Sequence, residues 1–349
     1  MYRPFKESTI LRTDTPINQT LHLEESNKIQ GWEATKSPEY WDYRGNWIKF
    51  PQERIVGSFP LHLDIEATNA CNLRCVMCPR TIKVADGTFW DIGMFDFDLY
   101  KQIIDEGVEN GLCSVKFNYL GEPLLNPRLA EMIKYAKQAG VLDTMLNTNA
   151  TLLVDWKARE LIEAGLDKLF VSFDSPYRDK YNQIRVRSEY DMVLANIREF
   201  NEIRKEMGSV SPLTRVSMVR MEENKDDWEV FCKLFEPIVD VVAYIDYLDH
   251  FGQNKPEYSP THNNRRNPNF CCASLWQRMF IHPDGVVTVC CLDSMRSLQV
   301  GNAFEQSVHD IWTGEKIQEL RDLHANGRYE EIPACAVCPL SRYLEDNGY

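Results

Sequence analysis

Three cysteines fall within eight residues in Cys71-Asn-Leu-Arg-Cys75-Val-Met-Cys78, just after the alternating apolar run Leu61-His-Leu-Asp-Ile-Glu-Ala67. A loop leaving a strand with this spacing can present three thiolates to one soft metal centre. Three is the informative number. A structural zinc site or a closed iron–sulfur cluster takes four protein ligands, whereas three leave one metal corner open for a substrate or cofactor. The bland alternative is a set of buried or zinc-binding cysteines in a reduced protein, and the motifs further along the chain weigh against it.

At 349 residues the chain exceeds what a single core usually organises, which suggests one large domain and a smaller one. Lys and Arg number 39 against 52 Asp and Glu, a net charge of −13 with no basic stripe. No nucleic acid and no anionic membrane is therefore expected as a partner, and a sugar, cofactor or peptide is favoured. No run approaches the roughly 20 apolar residues of a membrane span, and Met1-Tyr-Arg-Pro-Phe-Lys lacks an apolar signal region, so the expected location is cytoplasmic. In that reducing compartment, eleven cysteines grouped in CxxC and Cys-Cys pairs favour metal clusters over disulfides.

Residues 1–60 carry Trp32, Tyr40, Trp41, Tyr43 and Trp47 and are expected to form an extension that wraps the main domain. From 61 to 250, strand-like and helix-like runs alternate, the mark of a parallel α/β architecture. The strand candidates are Leu61–Ala67, Ser114–Leu120, Leu142–Thr148, Lys168–Asp174, Arg215–Met221 and Val241–Tyr247. Helix signals include Asp96 as a cap, Asn126-Pro127 opening a helix that Gly140 ends, starts at Asp155 and Tyr190, and a run from Asp226 to Val239. Six βα-type repeats without a Gly-rich phosphate loop suggest an open, partial (β/α)6 barrel, with its chemistry at the C-terminal ends of the strands.

Residues 251–269 are polar and proline-broken and read as a linker. A small C-terminal β-hairpin/α module follows over 270–349. It has Cys271-Cys272, a strand pair Gln277–His282 and Val286–Cys290 across Pro283-Asp284-Gly285, and Cys335-Ala-Val-Cys338. Successive strand residues point to opposite faces, so one of Cys290 and Cys291 is expected to ligate and the other to turn away.

The CxxxCxxC loop, Gly121-Glu122-Pro123 after the second strand and Tyr181-Asn-Gln-Ile-Arg185 together resemble the radical SAM superfamily. The order Cys272, Gly285-x4-Cys290, Cys335-x2-Cys338 is similar to its shortened SPASM, or twitch, domain, and the whole resemblance covers about residues 61–349. It implies a [4Fe–4S] cluster on Cys71, Cys75 and Cys78 whose open iron binds S-adenosylmethionine and cleaves it to a 5′-deoxyadenosyl radical, with an external donor such as flavodoxin or ferredoxin. Gly121 and Glu122 would hold the cofactor's ammonium, although Leu120 replaces the motif's first glycine. Asn149, Ser172 and, more weakly, Asp174 would contact cofactor or substrate, Arg185 would reach the cofactor's carboxylate, and the backbone at Met77 would approach the adenine. An auxiliary [4Fe–4S] cluster is implied on Cys272, Cys290, Cys335 and Cys338, with a four-cysteine zinc knuckle as the inorganic alternative.

The resemblance settles how such a reaction starts and leaves its outcome open. A closed second cluster fits oxidation of an alcohol to a ketone on a sugar- or cyclitol-like substrate, the cluster accepting the electron. Epimerisation would need a thiol hydrogen donor, and Cys113, Cys232, Cys271 and Cys291 remain, with Cys271 and Cys291 nearest the second set. Peptide or protein maturation and a noncatalytic iron–sulfur scaffold are the further alternatives. The first sixty residues lack the periodicity of a leader-binding module, so a small molecule is the expected substrate. For a phosphorylated or nucleotide-linked sugar, Arg80, Lys83, Arg265 and Arg266 are the cations at hand.

Overall fold

Parallel pairing of strands separated by helices builds most of one ten-stranded sheet, ordered β1-β7-β6-β5-β4-β3-β2-β8-β9-β10, in a computed structural model that describes residues 21–25, 28–249, 258–259 and 266–341. The strands are β1 Leu21–Glu25, β2 His62–Ile65, β3 Ser114–Lys116, β4 Asp143–Thr148, β5 Lys168–Ser172, β6 Leu213–Arg220, β7 Val241–Asp246, β8 Arg278–Ile281, β9 Val286–Thr288 and β10 Gln299–Asn302. β2 to β7 run parallel, as does β8 against β2, while β1, β9 and β10 are antiparallel to their neighbours. The mixed α/β sheet does not close into a barrel: β1 takes the β7 edge and β8 the β2 edge.

Helices α1 Lys28–Glu33, α2 Pro38–Glu53, α3 Pro79–Ala85, α4 Phe97–Asn110, α5 Leu129–Ala139, α6 Asp155–Glu163, α7 Arg178–Ile184, α8 Tyr190–Glu206 and α9 Trp228–Phe235 precede the C-terminal region, which adds α10 Val308–Thr313 and α11 Glu315–Ala325. Their ends follow local chemistry. Asp96 accepts from Leu99 N at 2.7 Å to start α4, and Gly140 ends α5 at φ 110, where a side chain would be strained. One face of the strands, through Leu63, Ile65, Val115, Leu169 and Val216, joins Ile103, Ile133, Ile197 and Phe235 of the helices in the main core.

Several expected bounds shorten. The second strand stops at Lys116 rather than Leu120, because Asn118 to Gly121 turn toward the cysteine loop: Leu120 N donates to Glu66 at 2.8 Å and Glu122 N to Ala70 O at 2.7 Å. The run from 226 to 239 is helical over Trp228–Phe235.

The aromatic N-terminal stretch does more than lie on the surface. Trp32, Tyr40, Tyr43 and Trp47 pack with Leu61, Leu213 and Val241, so α1 and α2 cover the N-terminal end of the sheet. Trp32 Nε1 donates to Asp167 O at 3.1 Å and Tyr43 to Ser114 at 3.1 Å. The C-terminal module is likewise joined to the parallel sheet: β8 pairs with β2 in the register His62↔Arg278 to Ile65↔Ile281, continuing it. Most of the expected linker, and Arg265 with it, lies outside the described residues.

Candidate active site

The cysteine loop is held on three sides by backbone and amide contacts. Arg74 N donates to Val186 O at 2.9 Å and Val76 N to Ile184 O at 3.0 Å, tying the loop to the end of α7. Asn149 Nδ2 donates to Asn72 Oδ1 at 3.0 Å, and Asn72 Nδ2 to Thr151 at 2.7 Å, tying it to the end of β4. Beneath it, a side chain on Gly121 would stand 1.9 Å from Thr68 O and 2.8 Å from Ala70 O, so only glycine lets the two backbones approach. Burial pushes all three thiols upward in pKa, Cys75 to about 12, and repulsion from neighbouring thiols adds to the shift of Cys71 and Cys75. Three half-buried thiols on one short loop suit a soft metal cluster that accepts thiolates and supplies the missing positive charge.

Glu122 sits at the mouth with its carboxylate fully enclosed. Oε1 accepts from Thr148 Oγ1 at 2.6 Å and Leu124 N at 3.2 Å, and Oε2 accepts from Asn149 N at 2.8 Å. Burial nevertheless raises its pKa, the hydrogen bonds offsetting part of the effect. A carboxylate has about four acceptor sites, so one remains here, and an incoming ammonium is the partner that burial leaves it wanting. Asn149 is otherwise engaged: its Oδ1 accepts from Thr151 N and Oγ1, so its side chain supports the cysteine loop. Ser172 ends β5 half-buried, and Met77 is buried against Ile184, Met221 and Tyr247. Arg185 is buried beside Cys75 and paired with Asp174 at 2.7 Å.

The second set of thiols lines one pocket. Cys272, Cys290, Cys291, Cys335 and Cys338 surround it with Phe270, Leu275, Leu320 and His324. Here the alternation argument fails: β9 ends at Thr288, and both Cys290 and Cys291 lie in the turn beyond it, hydrogen-bonded to each other and facing the same pocket. That bond raises Cys290 in pKa and lowers Cys291. Burial lifts Cys272 to about 11 and Cys338 to about 12. His324 is pulled down to about 4 by burial and lines the wall uncharged, its Nδ1 accepting from Cys272 N at 3.3 Å. Among the described residues no three His, Cys, Asp or Glu side chains are arranged to hold a single ion. Sulfurs spread around a pocket suit a multi-iron cluster.

Cys271 is not brought to this pocket. Its thiol turns to Arg54 past the end of α2. Cys113 lies beside the N-terminal aromatic cluster and Cys232 is buried on α9. Of the expected cations, Arg80 donates to Asn69 O at 2.8 Å, Lys83 lies over Trp90, and Arg266 pairs on the surface with Glu330. Sequence reading overlooked the polar concave face of the sheet, where Asp64, Lys116, Arg215 and Arg278 lie; the polar positions interrupting otherwise apolar strands are the signal that points to it. It also overlooked Tyr119, whose buried hydroxyl makes no hydrogen bond among the described residues and neighbours Cys290, Cys291 and Glu66.

Comparison with known proteins follows the same division. The radical SAM superfamily model matches residues 65–235, and the model of an iron–sulfur cluster-binding domain, SPASM, matches 271–339. The chain is 24% identical over 322 residues to the tungsten-containing aldehyde ferredoxin oxidoreductase cofactor-modifying protein of Pyrococcus furiosus, covering 80% of this chain and 87% of that one. It is 30% identical over 174 residues to a GTP 3′,8-cyclase of Alkaliphilus metalliredigens, and spans 52% of that protein's length and 50% of its own. Among solved structures, Streptococcus suis SuiB bound to S-adenosylmethionine superposes with a TM-score of 0.61 at 16% identity, over 88% of this chain and 76% of that one. BtrN in complex with AdoMet and 2-DOIA gives 0.54 at 17% identity, over 80% and 92%. At these identities the likeness is one of fold.

Proposed function

Since this chain belongs to the radical SAM superfamily, with a SPASM domain, S-adenosylmethionine and [4Fe–4S] clusters as its equipment, we propose that it oxidises an alcohol carbon of a small, sugar-like substrate to a ketone. The observation that carries this reading is the pocket of five thiols set against the concave face of the sheet. A cluster ligated by the chain at every iron has no corner left for substrate, so its use there is electronic. When bound, S-adenosylmethionine on the first cluster supplies the hydrogen-abstracting radical and the second cluster accepts the electron that the substrate radical gives up. The alcohol loses a hydrogen atom, a proton and an electron, and the product is two hydrogens lighter.

In this reading Cys71, Cys75 and Cys78 hold the first cluster, Gly121 lets the loop close, and Glu122 receives the cofactor's ammonium at its remaining acceptor site. Arg185, Ser172 and the backbone at Met77 complete the cofactor's surroundings, and Asn149 acts by holding Asn72. Cys272, Cys290, Cys335 and Cys338 hold the second cluster. Asn147 Oδ1 and Ser217 Oγ, buried and without hydrogen bonds among the described residues, suit a hydroxyl-rich substrate. An external reductant, such as a flavodoxin or ferredoxin, supplies electrons. Among the described residues no helix is long and apolar enough to cross a membrane.

The fifth thiol favours a second reading. Cys291 is hydrogen-bonded to Cys290 and left over once four thiols ligate, which suits a hydrogen donor in an epimerase. Anaerobic reconstitution followed by mass spectrometry of a sugar, cyclitol and cofactor panel separates the two. The name of the Pyrococcus relative is the reason to include cofactors. Oxidation gives a product two mass units lighter; unchanged mass in ordinary water, with one carbon-bound deuteron in heavy water, would leave epimerisation in its place.

A further inference from the structure

Among the described residues, two buried donors are left without an acceptor where the sheet meets the second thiol pocket. Arg278 is 3% exposed, yet its Nε and Nη2 make no hydrogen bond. Its Nη1 reaches Asp64 at 3.4 Å, but that carboxylate also serves Lys116 at 3.5 Å and touches His62 at 3.3 Å. The guanidinium otherwise faces rings, Phe280 at 5.5 Å and Trp47 at 5.8 Å. The Tyr119 hydroxyl is the second donor, buried and equally unpartnered. Its ring packs on Phe280 at 5.3 Å and His282 at 5.4 Å. The carboxylates of Glu66 and Asp293 beside it are taken, the first by Leu120 N at 2.8 Å and His282 at 2.9 Å, the second by Leu298 N at 2.6 Å and Ser297 at 2.9 Å.

Both donors converge on the Cys290-Cys291 turn. β8 and β9 pair in the register Phe280↔Thr288. Arg278 lies two residues before Phe280 and Cys290 two past Thr288, so the hairpin sets the guanidinium and the thiol turn side by side. On the other flank Ala273, Ser274 and Leu275, between Cys272 and Arg278, line the thiol pocket. The Arg278 charge accordingly acts on the Cys291 and Cys272 thiols, and the Tyr119 hydroxyl lies in the field of Cys290 and Cys291. In a dry interior an unpaired donor is costly unless an acceptor arrives. The acceptors for which this pocket is built are sulfurs, and thiolates gathered around a cluster bring negative charge to it.

We infer that Arg278 and Tyr119 donate to the sulfur atoms of the second cluster and thereby make it easier to reduce. This rests on the electron-acceptor role proposed above and states what fits the cluster for it. A positive charge or a hydrogen bond at sulfur favours the reduced cluster, which holds one more electron, over the oxidised one. The electron that the substrate radical gives up passes alone, and the two donors bias where it comes to rest. Both are positioning residues, acting through the cluster rather than on the substrate.

The test reads a potential rather than turnover. Reconstituted full-length protein is taken through an anaerobic redox titration followed by electron paramagnetic resonance, and a full-length chain with Cys71, Cys75 and Cys78 replaced by Ala identifies the signal of the second cluster. In Arg278→Gln, reduction of that cluster should become at least about tenfold less favourable, or about 59 mV lower for one electron. In Tyr119→Phe it should become about threefold less favourable, the worth of one neutral hydrogen bond. Circular dichroism checks the fold, and iron should stay near about eight per chain. A side chain that merely packs would leave the potential where it was, so an unchanged or raised potential in either folded, iron-replete variant overturns the inference, as does zinc in the second pocket. Tyr119→Phe removes a hydroxyl and keeps the ring on Phe280 and His282, so it decides the matter even if Arg278→Gln loses its cluster. Ketone assays run in parallel keep the two readings apart. Lowered potentials with no ketone from any substrate would sustain this inference and sink the alcohol oxidation, and ketone formed with unmoved potentials would do the reverse.

Discussion

Arg185 and Asp174 meet at 2.7 Å with both side chains buried, beside Cys75. The arginine ends α7 and the aspartate follows β5, where it also accepts from Val219 N at 2.9 Å, so the pair clamps two segments that support the cysteine loop. Burial works against the guanidinium charge, and Asp174 with the Cys75 thiol more than restores it, leaving its pKa above the ordinary value. Asp174→Asn removes the counter-charge and leaves the arginine enclosed. Urea unfolding should show a loss of about 3–5 kcal/mol, the usual cost of orphaning a buried ion. A loss below about 1 kcal/mol would mean that water reaches Arg185.

Gly121→Ala inserts a carbon 1.9 Å from Thr68 O. Neither neighbour is a flexible side chain, so the cysteine loop must move, at more than the about 1–3 kcal/mol of ordinary overpacking. The expected outcome is a folded protein that retains the second cluster and loses the first, seen as iron falling from about eight to about four per chain and as loss of deoxyadenosine formation.

Replacing Cys71, Cys75 or Cys78 by Ala should abolish 5′-deoxyadenosine formation under strong reductant. Cys335→Ala or Cys338→Ala should spare that cleavage more than it spares ketone formation, with about four irons left. Stoichiometric zinc beside about four irons in the unaltered protein would show that the second pocket takes the other metal.

Five thiols for four corners make Cys291→Ser informative. With Cys290 as the ligand, the variant keeps about eight irons and still forms ketone. Iron content reduced to about four assigns Cys291 to the cluster, and intact iron with lost product and lost deuterium uptake assigns it to hydrogen donation.

Asp167 anchors the N-terminal plug by pairing with Lys36 and, at 2.7 Å, with Lys137, while its backbone receives Trp32. Burial raises its pKa and the two lysines overcome that, so the folded value lies below the ordinary 3.8. A depressed carboxylate stabilises the fold above its unfolded pKa, and that contribution is lost as pH falls below about 4. Asp167→Asn should therefore lower stability by about 3–5 kcal/mol at pH 7 and flatten the acid limb of the melting profile. An unchanged acid limb would place the acid sensitivity elsewhere.

Much of this protein was legible along the chain because it depends on neighbours in sequence. The three-cysteine spacing marked the first candidate site, Asp96 and Gly140 marked helix ends, and the alternation of βα units gave the open parallel sheet. Each is a property of a few consecutive residues, where capping, turn chemistry and periodicity act directly. Tertiary structure decided what depends on register and on turns between distant segments. It put β8 beside β2, so that the second thiol pocket adjoins the parallel sheet. It ended β9 at Thr288, so that Cys290 and Cys291 share a pocket that strand alternation would have divided, and it turned Cys271 toward Arg54. It also brought Lys116 and Arg278, from strands far apart along the chain, to within 3.5 and 3.4 Å of Asp64. A slip of one residue in any of those strands would send the charge to the opposite face, and packing across the whole sheet, which no local window contains, is what prevents it.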